Sequence, residues 1–322
     1  MTTSRIVTLT MNPALDKSAE VGRVVPEDKL RCQSPRFDAG GGGVNVARAV
    51  TEMGGEATAL FLAGGWSGDR LVSLLEEEGV PTNRIPIQQD TRENLVIFET
   101  ETSQQFRFGM PGPELDHDEG ERVLEAVEAL DPAPEFLVVT GSLPPGISDD
   151  YYGRVVKAAR QRGSKVIVDA HGESLRQALS AHPFLIKPNL RELGQLAGRK
   201  MASDEQIEAA ARKLVDDGSC EICMVSMGAG GALWVSSEGT QRLLAPTVKI
   251  RSKVGAGDCT VAGIVLAFSR GWSERQALDL GVAAGAAAVM TPGTQLCRRE
   301  DAERLYAELQ EKAGSENNQN ED

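Results

Sequence analysis

A chain of 322 residues with 41% apolar side chains can bury a large core, and its low aromatic content with many alanines and glycines favours one α/β domain over two. A formal net charge of −13 argues against a nucleic-acid binder, whose phosphate contacts need a basic surface. The longest apolar stretch, around Val282 to Met290, is too short to span a bilayer, no basic-then-apolar leader opens the chain, and the five cysteines are scattered as suits a reducing compartment, so a soluble cytoplasmic protein is expected.

The first predicted strand, residues 6–9, leads into Asn12-Pro13-Ala14-Leu15-Asp16 and leaves a carboxylate near its end. Residues 17–38 then interrupt the alternation of strand and helix. Next, Gly40-Gly41-Gly42-Gly43-Val44-Asn45-Val46-Ala47-Arg48 runs from a loop into a helix. Four consecutive glycines carry a backbone entropy cost that a plain connector need not bear. Such a loop suits a ligand whose hydroxyls are read by main-chain groups, with Asn45 in the first helical turn. A flexible turn explains the run equally well by itself; together with Asp16 it points to a polyol site.

Further apolar strands at 58–62, 136–139, 166–168, 184–186 and 222–225, mostly separated by helical patterns, predict a doubly wound, mainly parallel sheet. A second break comes at Leu95-Val96-Ile97-Phe98 and Gln105-Phe106-Arg107-Phe108, two short strands joined by Glu101-Thr102-Ser103. With residues 17–38 they read as a small antiparallel lid on the larger domain. Its half-exposed apolar face needs cover, so a homodimer through the lid is expected.

Ligands of an open α/β sheet bind beyond the carboxyl ends of its strands. There the chain places Asp16, the turn from Gly141 through Ser142 to Gly146, Asp169, Lys187-Pro188-Asn189, and the run from Met227 to Gly231. Cys220-Glu221-Ile222-Cys223 leads into a strand and has no second pair, which favours ordinary strand cysteines over a redox or zinc motif. No G-x-x-x-x-G-K-[ST] sequence occurs, which excludes a P-loop.

Val254-Gly255-Ala256-Gly257-Asp258-Cys259 precedes a stretch that is apolar on every face, so this helix is buried and its N-terminus offers unpaired N–H groups to an anion. Asp258 reads as a base beside that cradle or, more simply, as an N-cap. Cys259 at the same helix start is expected to be a low-pKa, reactive thiol. Past a last helix near Leu305 to Glu311, the polar residues 313–322 are expected to be disordered.

Taken together, these motifs resemble those of PfkB-type sugar kinases of the ribokinase superfamily, over nearly the whole chain. The run Gly40 to Arg48 is similar to the family's N-terminal signature and Val254 to Asp258 to its C-terminal one. Lys29-Leu30-Arg31-Cys32, the Gly141 to Gly146 turn and Lys187-Pro188-Asn189 resemble the branch of bacterial minor 6-phosphofructokinases. The resemblance implies a ribokinase-like three-layer α/β/α sandwich: a single kinase domain over residues 1–312, with lid segments at about 13–38 and 90–110. It also implies transfer of the ATP γ-phosphoryl group to the 1-hydroxyl of fructose 6-phosphate. A 1-phosphofructokinase or tagatose-6-phosphate kinase is the near alternative, and a non-catalytic sugar-phosphate sensor the distant one.

By the same resemblance Asp258 is the general base, and the amides of Gly255, Ala256 and Gly257 stabilise the transferring group. Asp16, Gly41, Gly42, Asn45 and Ser142 hold the sugar. Lys29, Arg31, Arg92 and Arg107 are candidates for its phosphate, Arg92 foremost, with some acting across a dimer. Lys187, Asn189, Ser226, Gly228 and Gly231 hold the nucleotide. Asn189 and Glu192 lie near Mg²⁺ through water, although Asn-x-x-Glu after a strand is also a capping-box start. Main-chain carbonyls near Ser252, Val254, Ala288 and Gly293 form a K⁺ site, where Thr291 and Gln295 depart from the pattern expected of relatives.

Overall fold

The computed structural model describes residues 5–319. Its large sheet is built on seven strands that run parallel, in the spatial order Thr82–Pro86 (β5), Thr58–Ala63 (β4), Ile6–Thr10 (β1), Phe136–Thr140 (β8), Lys165–Asp169 (β9), Leu185–Ile186 (β10) and Ile222–Ser226 (β11). Two antiparallel strands, Ala232–Ser236 (β12) and Gly239–Leu243 (β13), finish one edge. Apolar residues run almost unbroken along the central strands because both faces are covered. Ile6 faces one core with Phe136 and Val138 on β8, whereas Val7 and Leu9 face the other with Leu137 and Val139.

On the first face lie Gly42–Glu52 (α1), Gly65–Glu77 (α2), Ala256–Ser269 (α8), Glu274–Val289 (α9) and Arg299–Gln319 (α10). On the second lie His117–Glu128 (α3), Tyr151–Gln161 (α4), Gly172–Leu179 (α5), Leu190–Ala197 (α6) and Asp204–Asp216 (α7). The near-complete burial of α8 from Cys259 to Ala267 matches its lack of a polar face. Alpha-carbon proximity replaces side-chain interdigitation where α8 meets α9: a β-carbon on Gly263 would fall 2.6 Å from the Leu280 carbonyl, and one on Gly285 would fall 2.3 Å from Thr260 Oγ1.

The lid is a separate sheet in the order Arg36–Gly40 (β3), Ala14–Val21 (β2), Arg92–Glu99 (β6), Gln104–Phe108 (β7). Its outer pairs are antiparallel, as expected, but β2 and β6 run parallel, a correction to the all-antiparallel reading. The reason is topological: β3, α1, β4, α2 and β5 intervene between them, so they are not joined as a hairpin. The tail needs a second correction. Helix α10 continues to Gln319, through most of the 313–322 segment expected to be disordered, and residues 320–322 lie outside the described ones. Polar composition removes a buried face but not helicity, and a helix already nucleated extends into a proline-free segment at little cost.

Candidate active site

Strand β1 is the switch point of the large sheet, with β4 on one side and β8 on the other. The N-terminus of α1 is set directly above the crevice this creates. A β-carbon on Gly42 would fall 2.4 Å from Thr140 Oγ1 at the end of β8, and one on Gly43 would fall 2.5 Å from Thr10 Oγ1 and 2.7 Å from the Leu9 carbonyl at the end of β1. Gly41 adopts φ +110, outside the range of ordinary side chains. The glycines therefore let the helix start seat itself on the sheet, which projects Asn45 over the crevice.

Asn45 meets Asp258 there, although 213 positions separate them in the chain: Asn45 Nδ2 donates to Asp258 Oδ2 at 2.8 Å. Arg48 Nη1 lies 3.5 Å from Asn45 Oδ1 and donates to the Ala39 carbonyl at 2.6 Å, which orients the amide with its NH₂ towards the carboxylate. Asp258 belongs to the first turn of α8, whose cap residue Gly255 has a left-handed φ of 73, and its side chain makes no capping bond. The N-cap reading is thus set aside. Burial raises the Asp258 carboxyl to about 7; the Asn45 bond pulls it down, Asp169 pushes it up, and Lys187 and Arg107 pull it down again. A carboxyl held near neutrality in a cleft is suited to accept a proton.

Beside it, Lys187 Nζ lies 3.1 Å from Asp169 Oδ2. Burial would lower the Lys187 pKa, but Asp169, with Asp258 and Glu192, raises it, so the ammonium stays charged. Nζ also lies 3.4 Å from the point where a β-carbon on Gly257 would fall, which puts a cation at the open end of the α8 amides. Asp169 was legible only as a polar residue at a strand end; its partner was not, because the pairing depends on β9 and β10 being neighbours.

On the lid side, Asn94 Nδ2 donates to Asp16 Oδ1 at 2.8 Å. Burial raises the Asp16 pKa, and the Asn94 bond, Arg92 and Arg107 oppose the rise. Gly40 underlies this carboxylate: a β-carbon there would fall 2.4 Å from Asp16 Oδ2. Arg92 is committed in part to main-chain carbonyls. It donates from Nη2 to the Asn12 carbonyl at 2.8 Å, from Nη1 to the Met110 carbonyl at 2.7 Å and from Nε to the Pro13 carbonyl at 3.3 Å, so three of its roughly five donors hold the chain together. Arg107 is exposed and contributes electrostatically to both Asp16 and Asp258. Lys29 and Arg31 sit exposed in the segment between β2 and β3. Ser142 accepts a long bond from Asn12 Nδ2 at 3.4 Å.

Asn189 and Glu192 form a complete capping box at the start of α6: Asn189 Oδ1 accepts from the Arg191 and Glu192 amides, and Glu192 Oε2 accepts from the Asn189 amide. The structural reading of this motif therefore holds. Glu192 Oε1 remains for a further contact, an oxygen donor of the type Mg²⁺ takes through its water shell. No cluster of three or more His, Cys, Asp or Glu able to hold a metal directly occurs among the described residues. Ser226 bridges in parallel to Asn189. Gly228 and Gly231 have φ of +59 and +85, and a β-carbon on Gly231 would fall 1.9 Å from the Leu243 carbonyl, so this turn admits only glycine there.

Behind α8, two hydroxyls engage the carbonyls of Gly293 and Ala288. Ser252 Oγ donates to the Gly293 carbonyl at 2.7 Å and accepts from the Val254 amide at 3.2 Å. Thr291 Oγ1 lies 2.7 Å from both the Ala288 and Gln295 carbonyls. One hydroxyl proton serves only one of these. Cys259 is the clear correction: the helix start is there, but the thiol is fully buried, accepts the Cys297 amide at 3.3 Å, and burial, with the Cys297 thiol, raises its pKa well above the ordinary value. Desolvation outweighs the helix dipole. Cys220 and Cys223 are likewise buried and hydrogen-bonded to each other; Cys223 lies in β11, whereas Cys220 lies just before the strand, a correction to the reading of both as strand cysteines.

The family model of the pfkB family carbohydrate kinases matches residues 6–301. The chain belongs to this family. The chain is 44% identical over 302 residues, 94% of its length and 89% of the relative's, to the ATP-dependent 6-phosphofructokinase isozyme 2 of Mycobacterium tuberculosis H37Rv. It is 41% identical over 306 residues to that of Escherichia coli K12, covering 95% and 99% of the two chains. The crystal structure of the E. coli phosphofructokinase-2 with potassium superposes with a TM-score of 0.92 at 40% identity, over 95% of this chain and 99% of the other. The PfkB kinase fold here is therefore the ribokinase-like one, with helices on both sides of the main sheet and a small separate sheet.

Proposed function

We propose that this PfkB kinase transfers the γ-phosphoryl group of ATP to the 1-hydroxyl of fructose 6-phosphate, working as one kinase domain over residues 1–312 with the lid segments closing on the sugar. The observation that carries the reading is Asp258, a carboxyl raised to about 7 at the start of a buried helix and tied to Asn45 at 2.8 Å. The E. coli relative has been crystallised with fructose-6-phosphate. The 1-phosphofructokinase of Bacillus subtilis is a more distant relative, 30% identical over 304 residues, and marks the alternative substrate.

In this mechanism Asp16, Asn45 and the amides of Gly41 and Gly42 hold the sugar, with Ser142 at its edge. Asp258 takes the proton of the attacking hydroxyl. The amides of Gly255, Ala256 and Gly257 and the ammonium of Lys187 face the charge that builds on the transferring group, and such preorganised donors are the larger part of phosphoryl-transfer catalysis. Arg107 and the two unused donors of Arg92 receive the 6-phosphate, joined by Lys29 or Arg31 of a second copy. Lys187, Asn189, Ser226, Gly228 and Gly231 line the nucleotide. Glu192, with Asn189, would hold Mg²⁺ through water, and the ion would neutralise charge on the nucleotide phosphates. The carbonyls near Ser252, Val254, Ala288 and Gly293 would hold K⁺; the potassium complex of the E. coli relative supports that assignment.

Exposed Trp66, Phe108 and Met110 beside the lid support a homodimer through it; the E. coli relative has a tetrameric inhibited form. None of the described helices is long and apolar enough to cross a membrane, and the free cysteines fit a cytoplasmic location. A coupled ADP-release assay over a panel of phosphosugars tests the substrate: the highest kcat/KM is expected with fructose 6-phosphate. Equal or better efficiency with fructose 1-phosphate would move the chain to the neighbouring activity.

A further inference from the structure

The carboxylate of Asp38 on β3 is only 3% exposed, and burying a charge is costly unless hydrogen bonds fully satisfy it. Its Oδ1 accepts from Arg36 Nε at 2.9 Å and Nη2 at 2.6 Å. Its Oδ2 accepts from Thr294 Oγ1 at 2.7 Å, across 256 positions of sequence. The Arg36 side chain is 52% exposed, so that half of the arrangement is weakened by solvent, whereas Thr294 is 6% exposed and its bond is shielded.

Each end of this contact belongs to a different part of the site. On β3, Asp38 pairs directly across from Asp16, and Gly40, two residues on, packs under the Asp16 carboxylate. On the other side, the loop carrying Thr294 reaches α8. Leu296 Cδ2 lies 2.7 Å from the point where a β-carbon on Gly255 would fall, and the Cys297 amide donates to Cys259 Sγ at 3.3 Å. The loop therefore touches the sugar-side strand at Thr294 and the start of the phosphoryl-transfer helix two and three residues later.

We infer that Asp38 and Thr294 form a clasp that sets the distance between the sugar strand and the α8 anion cradle, which makes both of them positioning residues for the sugar. The inference rests on the reading of Asp16 as a sugar ligand and Asp258 as the base. Register between these two carboxylates matters because a displacement of about 1 Å in a bound reactant can cost about a hundredfold in rate.

Thr294→Val keeps the shape and removes the hydroxyl; Thr294→Ser keeps the hydroxyl; Asp38→Asn keeps the volume and removes the charge. In the full chain, Thr294→Val is expected to raise the KM for fructose 6-phosphate about tenfold, the effect of losing a hydrogen bond to a charged group, while the KM for ATP stays unchanged. Thr294→Ser should restore the wild-type value, and Asp38→Asn should fall between. Amide hydrogen exchange, which needs no substrate, should speed up in residues 36–41 and 291–297 together in Thr294→Val. A lowered Tm with an unchanged sugar KM, or faster exchange confined to 291–297, overturns the clasp. Should the wild-type enzyme turn over no fructose 6-phosphate, the substrate reading fails, and the exchange result still decides the contact.

Discussion

Two glycine runs that look alike in one dimension are built for opposite ends in three. Around Gly40 to Gly43 the protein itself fills the space: β-carbons would meet Asp16, Pro13, Thr140 and Thr10 at between 2.4 and 3.0 Å. At Gly257, by contrast, the nearest atom to an added β-carbon is Lys187 Nζ at 3.4 Å, an ordinary contact, and the residue is exposed. The first run is glycine because a helix is pressed onto strand ends; in the second, Gly255 is restricted too, with a left-handed φ of 73 and Leu296 Cδ2 2.7 Å from its added β-carbon, and Gly257 is the position left open to an approach from outside. Each glycine carries the same entropy cost wherever it sits, so composition could not distinguish the two uses.

The largest expected effect falls on the open run. Asp258→Asn should lower kcat by ~10²–10⁴-fold, the usual worth of a positioned base, with ATP and sugar binding nearly intact in a titration. Near wild-type turnover would remove the base from this site. The same carboxyl governs pH. Its folded value of about 7 lies above the 3.8 of an ordinary Asp, so the folded chain holds an extra proton between those values. Stability contributed by this group therefore falls as pH rises from about 4 to 7, while kcat/KM of the wild type rises through about 7. Asp258→Asn should flatten that slope and melt higher than wild type at pH 8.

Gly257→Ala and Gly43→Ala set the two runs against each other. A methyl on Gly257 keeps the N–H but obstructs approach to it, and should leave Tm unchanged and lower kcat by ~10²-fold, an effect of the size seen when one anion-hole donor is lost. A methyl on Gly43 overlaps a backbone carbonyl and should cost about 1–3 kcal/mol in unfolding free energy by denaturant titration. If Gly257→Ala destabilised the fold as much as Gly43→Ala, the two runs would not differ in kind. The smallest effect concerns thiols: brief alkylation should modify exposed Cys32 and spare Cys259 and Cys297, with activity retained, as peptide mapping would report.

Several features were legible because they depend on near neighbours. Six of the seven parallel strands announced themselves as apolar runs, and α8 as a helix with no polar face. Others were not. Strand β5, Thr82–Pro86, has a single buried residue, Ile85, and carries no periodic signal. The antiparallel β12–β13 hairpin is absent from the strands expected, although only Ser237 and Glu238 join its two strands and the signal is local. Arg92 looks like any arginine beside a lid until three carbonyls converge on it.

The sequence alone determined the sheet of alternating strands and helices, the glycine-to-helix junctions, the polar residues at strand ends and the membership of a kinase family those motifs carry. These follow from periodicity, from backbone freedom at glycine and from helix-start chemistry, all local. Tertiary structure decided the pKa of Asp258, the charge on Lys187, the silence of Cys259 and the clasp between Asp38 and Thr294. Each of these is set by burial and by partners brought together from distant segments, and desolvation is a property of the folded volume, not of any stretch of chain.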